Sequence, residues 1–343
     1  MPQPPVIDAT LATALVADAT TAPSLHNAQP WRFRYVTRTA TLELYADRRR
    51  SVPHVDPLER ALHLGCGAAL FTLRVAAAHA GLAAEVRLLP GPDAESGLSD
   101  AGRDEAPLAR VTLTAPPDPL TTPDPLAALY PAIRRRHTSR QPFDDTPVPP
   151  DIREALREAA AQEGATLLFP SPWHVQHLLN VIRDAEWSDA EDEGRLADLD
   201  EWTHTGPDAD SAADGIPEYA FGPRKRSGGA PVRDFAGRHH PAAEQDSVAF
   251  ESQPQLALLG TPEDRAIDWL RAGQATQRVL LLATASGLAT ALTSQALEHE
   301  DLRWAVRDPQ SAMGQVQLVL RLGYGPAGTS TPRRRVSEVL SIE

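Results

Sequence analysis

At 343 residues, 42% of them hydrophobic, the chain is longer than a usual single domain and apolar enough for more than one core, so two domains or an internal duplication are expected. A formal net charge of −13 argues against a nucleic-acid partner, because neutralising phosphates needs a basic face. One cysteine, Cys66, leaves no internal disulfide, and with neither a secretory leader in Met1-Pro2-Gln3-Pro4-Pro5 nor an apolar run expected to cross a membrane, the expected location is cytoplasmic.

Ile7, Leu11, Ala14 and Leu15 share one face of a helix over residues 7–20, which Thr20, Thr21 and Pro23 end. Then comes Ala22-Pro23-Ser24-Leu25-His26-Asn27-Ala28-Gln29-Pro30-Trp31, a stretch held stiff by two prolines that cannot sit inside a helix. Ser24, His26, Asn27 and Gln29 offer hydrogen-bonding groups within six positions. Such side chains serve either to satisfy their own backbone in a connector or to line a pocket whose ligand mixes donors and acceptors along one edge. Residues 31–36 and 41–45 alternate as a strand pair around a turn at 37–40. A polar connection leads to a long apolar helix over 61–80, closed by Gly81, and residues 85–89 and 109–113 read as two short strands. The proline-rich run from Ala115 to Pro125 is the best linker, dividing a first half, 1–125, from a second, 126–343.

In the second half a helical stretch over 126–135, kinked at Pro131, precedes Arg136-His137-Thr138-Ser139-Arg140. A helix over 151–163, a strand over 165–169 and a helix over 173–187 follow. The acidic, then glycine-rich region 190–246 has little periodicity, which suits a lid or disorder. A strand at 255–259, a second long apolar helix over 266–286 ended by Gly287, and a strand at 315–322 complete the chain. Against the acidic background the arginine clusters 134–136 and 333–335 are where an anionic ligand would be held, whereas Arg48, Arg49 and Arg50 read as solvated surface. The run from Gly323 to Gly328 matches GxGxxG, but Pro326 and Pro332 bar the helix that a dinucleotide fold needs there. His174 with His177, and His239 with His240, lack the cysteines or HExxH helix of a metal site, and Cys66 on an apolar helix reads as core.

The two long helices superpose in sequence: Gly67 aligns with Gly273 and Gly81 with Gly287 at one offset, and Gly81-Leu82-Ala83 matches Gly287-Leu288-Ala289. The loop at 22–31 closely resembles the APSxxNxQPW signature of the nitroreductase family of FMN proteins. Asp56-Pro57 with Arg60, Gly65 to Leu70, Trp269 to Gln274, and Arg321 to Gly325 with Pro332-Arg333-Arg334 extend a resemblance to the Acg-like branch over nearly the whole chain.

The resemblance implies an α+β protein of tandem nitroreductase-like fold: two α/β halves with mainly antiparallel sheets, forming an intramolecular pseudo-dimer and hence a monomer. The halves have complementary losses. No arginine or lysine precedes the first-half loop, and the second half has Phe169-Pro170-Ser171-Pro172-Trp173, without asparagine, where its own loop belongs. One complete flavin site and one decayed site are therefore expected. The resemblance places Ser24, His26, Asn27 and Gln29 on FMN, together with Arg136, His137, Thr138 and Arg140, the backbone at Thr293, Ser294 and Gln295, and the cluster Arg333, Arg334 and Arg335. Arg136 and one late arginine would hold the phosphate, Arg140 the N1 and O2 edge, and residues 293–295 would face N5 and O4. No side chain need be catalytic, since flavin N5 carries the chemistry from NAD(P)H to a nitroaromatic or quinone acceptor. The alternative is a protein that sequesters FMN beneath a lid within 190–246, with Trp202, Tyr219 and Phe221 along it and Asp214-Gly215-Ile216-Pro217 resembling that branch. No nucleic-acid or membrane partner is expected.

Overall fold

The computed structural model describes residues 7–90, 106–115, 124–236 and 247–343. Helix α1 (Ala9–Ala19) starts where the Asp8 carboxylate accepts from the Leu11 amide at 2.8 Å. Strands β1 (Trp31–Val36) and β2 (Thr41–Ala46) follow the first loop. Helix α2 (Arg60–His79) is capped by buried Asp56, which accepts from Ala61 and Leu62 at 3.0 and 2.9 Å, and ends at Gly81, whose φ of 74° suits the left-handed turn. Strands β3 (Ala83–Leu88) and β4 (Ala109–Thr114) complete the first half.

The second half contains α3 (Pro150–Ala161), β5 (Thr166–Leu168) and α4 (Pro172–Glu191), then α5 (Glu193–Glu201) with the short strands β6 (Thr203–His204), β7 (Ile216–Pro217), β8 (Arg224–Ser227) and β9 (Ser247–Ala249). It closes with β10 (Gln255–Thr261), α6 (Ala266–Ala285), β11 (Ala289–Thr293), β12 (Gln315–Gly323) and β13 (Leu340–Ile342). Region 190–246, expected to be a lid or disordered, is ordered over its described part, 190–236: Asp192 accepts from Gly194 and Arg195 and starts a helix, and two small strand pairs follow. Residues 237–246, with His239 and His240, lie outside the described residues. Sequence reading also missed β11 and β13.

Two mainly antiparallel sheets carry the fold. The first has the order β13-β1-β2-β4-β3, and the second, read from its far edge, β5-β10-β12-β11. Apart from β13, the two orders correspond strand for strand, and every neighbouring pair is antiparallel. Strand β13, from the end of the chain, crosses to the first sheet and runs parallel to β1, with Leu340 opposite Phe33. Each sheet has its own apolar core.

Helices α2 and α6 form the seam between the halves. A Cβ on Gly67 would lie 2.3 Å from the Leu270 carbonyl oxygen, and one on Gly273 would lie 2.2 Å from that of Leu64. The contact is reciprocal, because Leu64 and Gly67 stand to Leu270 and Gly273 in the same sequence offset, as residues across a two-fold axis do. Among the described residues α2 alone is, by length and composition, sufficient to span a bilayer, contrary to the expectation that no run would be, but 89% of its most apolar window is buried inside the protein. Cys66 on this helix is fully buried, and burial pushes its thiol pKa upward.

Candidate functional site

The loop after α1 is built from strained backbone. His26, Asn27 and Gln29 all have positive φ, at 47°, 57° and 54°, a conformation that costs each of them on the order of 1 kcal/mol. Local bonds hold it there: the Ser24 hydroxyl accepts from the Gln29 amide at 2.9 Å, and Ser24 rests on α2 at Gly65, where an added Cβ would come within 3.2 Å of the Ser24 Cβ. The strained loop forms one wall of a cavity of about 1360 Å³, counting the solvent space at its mouth. Segment 136–140 forms another wall. It is pinned to β11 by the Ser139 amide, which donates to the Thr290 carbonyl at 2.8 Å.

Two arginines meet at one end of this cavity. Arg136 is 3% exposed; its Nη2 donates to the Thr21 carbonyl at 3.2 Å, while its Nε and Nη1 have no partner among the described residues. Arg333 donates to Asn27 Oδ1 at 2.9 Å and to the Thr21 carbonyl at 3.0 Å, and its Nε is likewise unpartnered. Burial lowers the Arg136 pKa to about 10; burial and the charge of Arg136 lower that of Arg333 to about 9. No carboxylate ion pair is present for either guanidinium among the described residues. Buried like charges with donors to spare form a site for a strong anion. His137 lies beside them, and burial with these two charges lowers its pKa, so it stays neutral near pH 7.

The third wall comes from residues 291–295, with Glu298 behind it. The Ser294 hydroxyl donates to Glu298 at 2.7 Å, and Gln295 Nε2 donates to Glu186 at 3.2 Å. Burial alone would raise the Glu298 pKa, but Arg233, donating to it at 2.7 Å, and the Ser294 bond hold it at about 2. Arg233 belongs to the segment covering the cavity, where Ile216, Pro231, Val232 and Phe235 also line it. Several ties fasten this cover. Asn27 Nδ2 donates to the Gly215 carbonyl at 2.9 Å, Gln29 Nε2 to that of Ala213 at 3.0 Å, and Arg140 to that of Ala220 at 2.8 Å. Arg50 pairs with Asp214 and lies over the Trp202 ring.

Of the residues singled out by sequence, Ser24, His26 and Asn27, then Arg136, His137, Thr138 and Arg140, then Thr293, Ser294, Gln295 and Arg333 line this one cavity. Gln29, Arg334 and Arg335 do not. Gln29 is fully buried and spent on protein: Oε1 accepts from the Arg334 amide at 2.9 Å, and Nε2 ties the cover. Arg334 donates to the Gln29 carbonyl at 3.2 Å, and Arg335 is exposed. Both donor hydrogens of the Asn27 amide are also taken, by Gly215 and by Pro332 at 3.1 Å. Arg50, read as solvated surface, is a tie to the cover. The aromatics picked out along region 190–246 lie off the cavity. Trp202 packs with Ala28, Val52 and Val55, Tyr219 is 52% exposed, and Phe221 stacks behind Phe235.

Sequence reasoning missed Arg233, Phe235 and Glu298, and it named Arg60 and Arg321 only as family matches without placing them at the cavity they line. Arg321 is held by Glu251 at 2.5 Å beneath the cavity. The glycines of the GxGxxG match pack on Phe143 and on the Thr138 carbonyl rather than around a phosphate. His174 and His177 bond to the carbonyls of Val306 and Ala305, and no metal-binding cluster is present among the described residues.

A family model described as Nitroreductase family matches residues 133–324. A Mycobacterium tuberculosis protein provisionally named an NAD(P)H nitroreductase is 32% identical over 340 residues, 97% of this chain and 92% of that protein. Another from the same organism, provisionally named NAD(P)H nitroreductase acg, is 29% identical over 328 residues, covering 94% of this chain and 92% of its own. Among solved structures, a nitroreductase with bound FMN from Bacteroides fragilis aligns with a TM-score of 0.35 and 14% identity over 60% of this chain and 92% of that one. A provisionally named nitroreductase from Anabaena variabilis aligns with a TM-score of 0.46 and 11% identity over 92% of this chain and 88% of that one.

Proposed function

Because this chain belongs to the nitroreductase family, we propose that it is an FMN-dependent oxidoreductase passing electrons from NAD(P)H to a small electron-poor acceptor, a nitroaromatic or a quinone. The observation that carries this reading is the pair of buried Arg136 and half-buried Arg333, unpartnered at Arg136 Nε and Nη1 and at Arg333 Nε among the described residues. These donors fit a phosphate dianion, and they line the same cavity as the strained loop and residues 293–295. FMN, when bound, supplies the two-electron chemistry. The chain's part is to hold the phosphate with Arg136 and Arg333, to wall the ring with Ser24, His26 and Thr138, and to exclude water with the cover.

We read the two halves as a duplicated unit forming an intramolecular pseudo-dimer, 1–125 and 126–343, with β13 reaching back to the first sheet. The matching strand orders and the reciprocal glycine contact support this. The offset also accounts for a single site. Gly65 and Ala68, small where the cavity needs room, have Arg271 and Gln274 as counterparts, and Thr276 has Leu70. Gln274 instead accepts from Arg74 at 2.8 Å in the seam. Bulk therefore stands where a second flavin would lie.

A second reading is favoured by the number of ties on the cover: the protein sequesters FMN and turns over slowly. Anaerobic addition of NADPH to the flavin-loaded protein separates the two. Bleaching within seconds supports the oxidoreductase, whereas bleaching only with dithionite supports sequestration. For the phosphate site, Arg136→Ala is expected to lose bound FMN while keeping its fold, and wild-type FMN content in that variant would refute the assignment.

A further inference from the structure

The end of the cavity beneath the cover has a chemistry of its own. His26 is 4% exposed, lines the cavity, and neither ring nitrogen has a partner among the described residues. A neutral imidazole there offers one donor and one acceptor, and leaving such groups unpaired costs about 1–3 kcal/mol. Phe235, from the cover, stands edge-on to His26 at 6.3 Å and 85°. The Arg140 guanidinium lies over the Phe235 ring, 4.8 Å from its centre. Arg233 enters from the cover two residues before Phe235 and lines the same space, anchored by Glu298.

The charged groups acting on His26 are Arg233 and Arg140, opposed by Glu298. The two cations outweigh the one carboxylate, and together with burial they keep the imidazole neutral. Arg233 is balanced by Glu298 at 2.7 Å and Asp189 at 3.6 Å, whereas Arg140 has no carboxylate partner among the described residues, so one uncompensated guanidinium, an apolar ring wall and an unsatisfied imidazole converge in this part of the cavity. We propose that Arg233, Phe235, His26 and Arg140 form a second subsite for an electron acceptor that is a planar nitroaromatic or quinone carrying one anionic substituent, a carboxylate or phenolate; the nitro or quinone group takes the electrons and the anionic substituent is what the subsite recognises. The proposal rests on the oxidoreductase reading for the role of that ligand and on the cavity alone for its binding. The uncompensated guanidinium repels the cationic ring of an oxidised nicotinamide, which favours its departure before the anion enters.

Calorimetric titration with benzoate and with benzamide tests this, since the two probes share ring and shape and differ in charge. On the protein saturated with FMN, benzoate is expected to bind at least ten-fold tighter than benzamide. Arg233→Gln should bring benzoate to the level of benzamide, and Arg233→Lys should retain at least a three-fold preference. Circular dichroism shows whether each variant is folded, and Lys at 233 keeps the Glu298 partner if Gln does not fold. Equal affinities in the wild type, no heat from benzoate, or an unchanged preference in Arg233→Gln would overturn the subsite. A wild-type protein that takes up no FMN would refute the oxidoreductase reading alone, because the titration of the protein as purified still reports on the subsite.

Discussion

Replacing Arg136 with methionine should make the flavin-free protein more stable while abolishing flavin binding. Arg136 is buried beside Arg333 with no carboxylate opposite among the described residues, and its pKa falls from 12.5 to about 10. At about 1.4 kcal/mol per pH unit, holding that charge costs the empty protein roughly 3 kcal/mol. The Arg136 cost is that of burial alone, while the Arg333 pKa, about 9, is lowered first by burial and second, to a smaller extent, by the Arg136 charge, so removing Arg136 also relieves Arg333. Methionine fills a similar volume, loses the bond to the Thr21 carbonyl at 3.2 Å, worth about 1 kcal/mol, and removes the buried charge. The expected net gain is about 1–2 kcal/mol in urea unfolding of the flavin-free protein at pH 7. FMN affinity, read by quenching of flavin fluorescence, should fall at least 100-fold, because a charge-assisted phosphate contact is lost. A variant that is less stable without flavin, yet binds FMN as the wild type does, would refute the reasoning about an uncompensated pair.

Three other perturbations follow from particular contacts. Burial and two arginines push the His26 pKa from 6.5 to about 3, so between those values the unfolded chain takes up a proton that the folded one refuses. Stability should fall by about 2 kcal/mol between pH 7 and pH 5 on this account; His26→Asn, which tolerates the left-handed backbone, should remove that part of the slope, and an unchanged slope would contradict it. Gly67→Ala drives a Cβ to 2.3 Å from a backbone oxygen of α6, and an overpacking loss of about 1–3 kcal/mol or more is expected in urea. Gly81→Ala meets nothing within 4 Å and should cost only about 1 kcal/mol, for its φ of 74°; equal losses would mean that the seam yields easily. Asn27→Ala unpairs the Gly215 and Pro332 carbonyls, so amides of 215–235 should exchange hydrogen faster while β10 is unaffected, and unchanged exchange would show that Asn27 does not fasten the cover.

Local signals in the sequence carried much of this architecture. The long apolar helices, their glycine stops and the strand pair around residues 37–40 follow from periodicity and backbone preference, which act within a few residues. The two prolines around the first loop, and the arginines at 136 and 140, marked segments that do reach one cavity. Side-chain type did not reveal whom a residue would bond. Gln29 and Asn27 carry the same amide, and both are consumed by partners far away in sequence, Gln29 by Ala213 and Arg334 and Asn27 by Gly215, Pro332 and Arg333. Arg233 and Phe235 sit in an aperiodic region, and their position beneath the cover depends on Glu298 and Arg140, partners no spacing rule connects. Strand β11 is short and rich in alanine and threonine, with little alternation. Its only sequence signal was the match of Gly287-Leu288-Ala289 to Gly81-Leu82-Ala83, just where β3 begins.

The central claim is one flavin site in a duplicated chain, held at its phosphate end by two arginines from the second half. The most direct test is the number of FMN molecules released per chain from protein saturated with FMN and then freed of excess. The account predicts one FMN per 37.0 kDa chain, with none retained by Arg136→Ala. Two per chain would contradict the filled second site, and none in the wild type would contradict the flavin site itself.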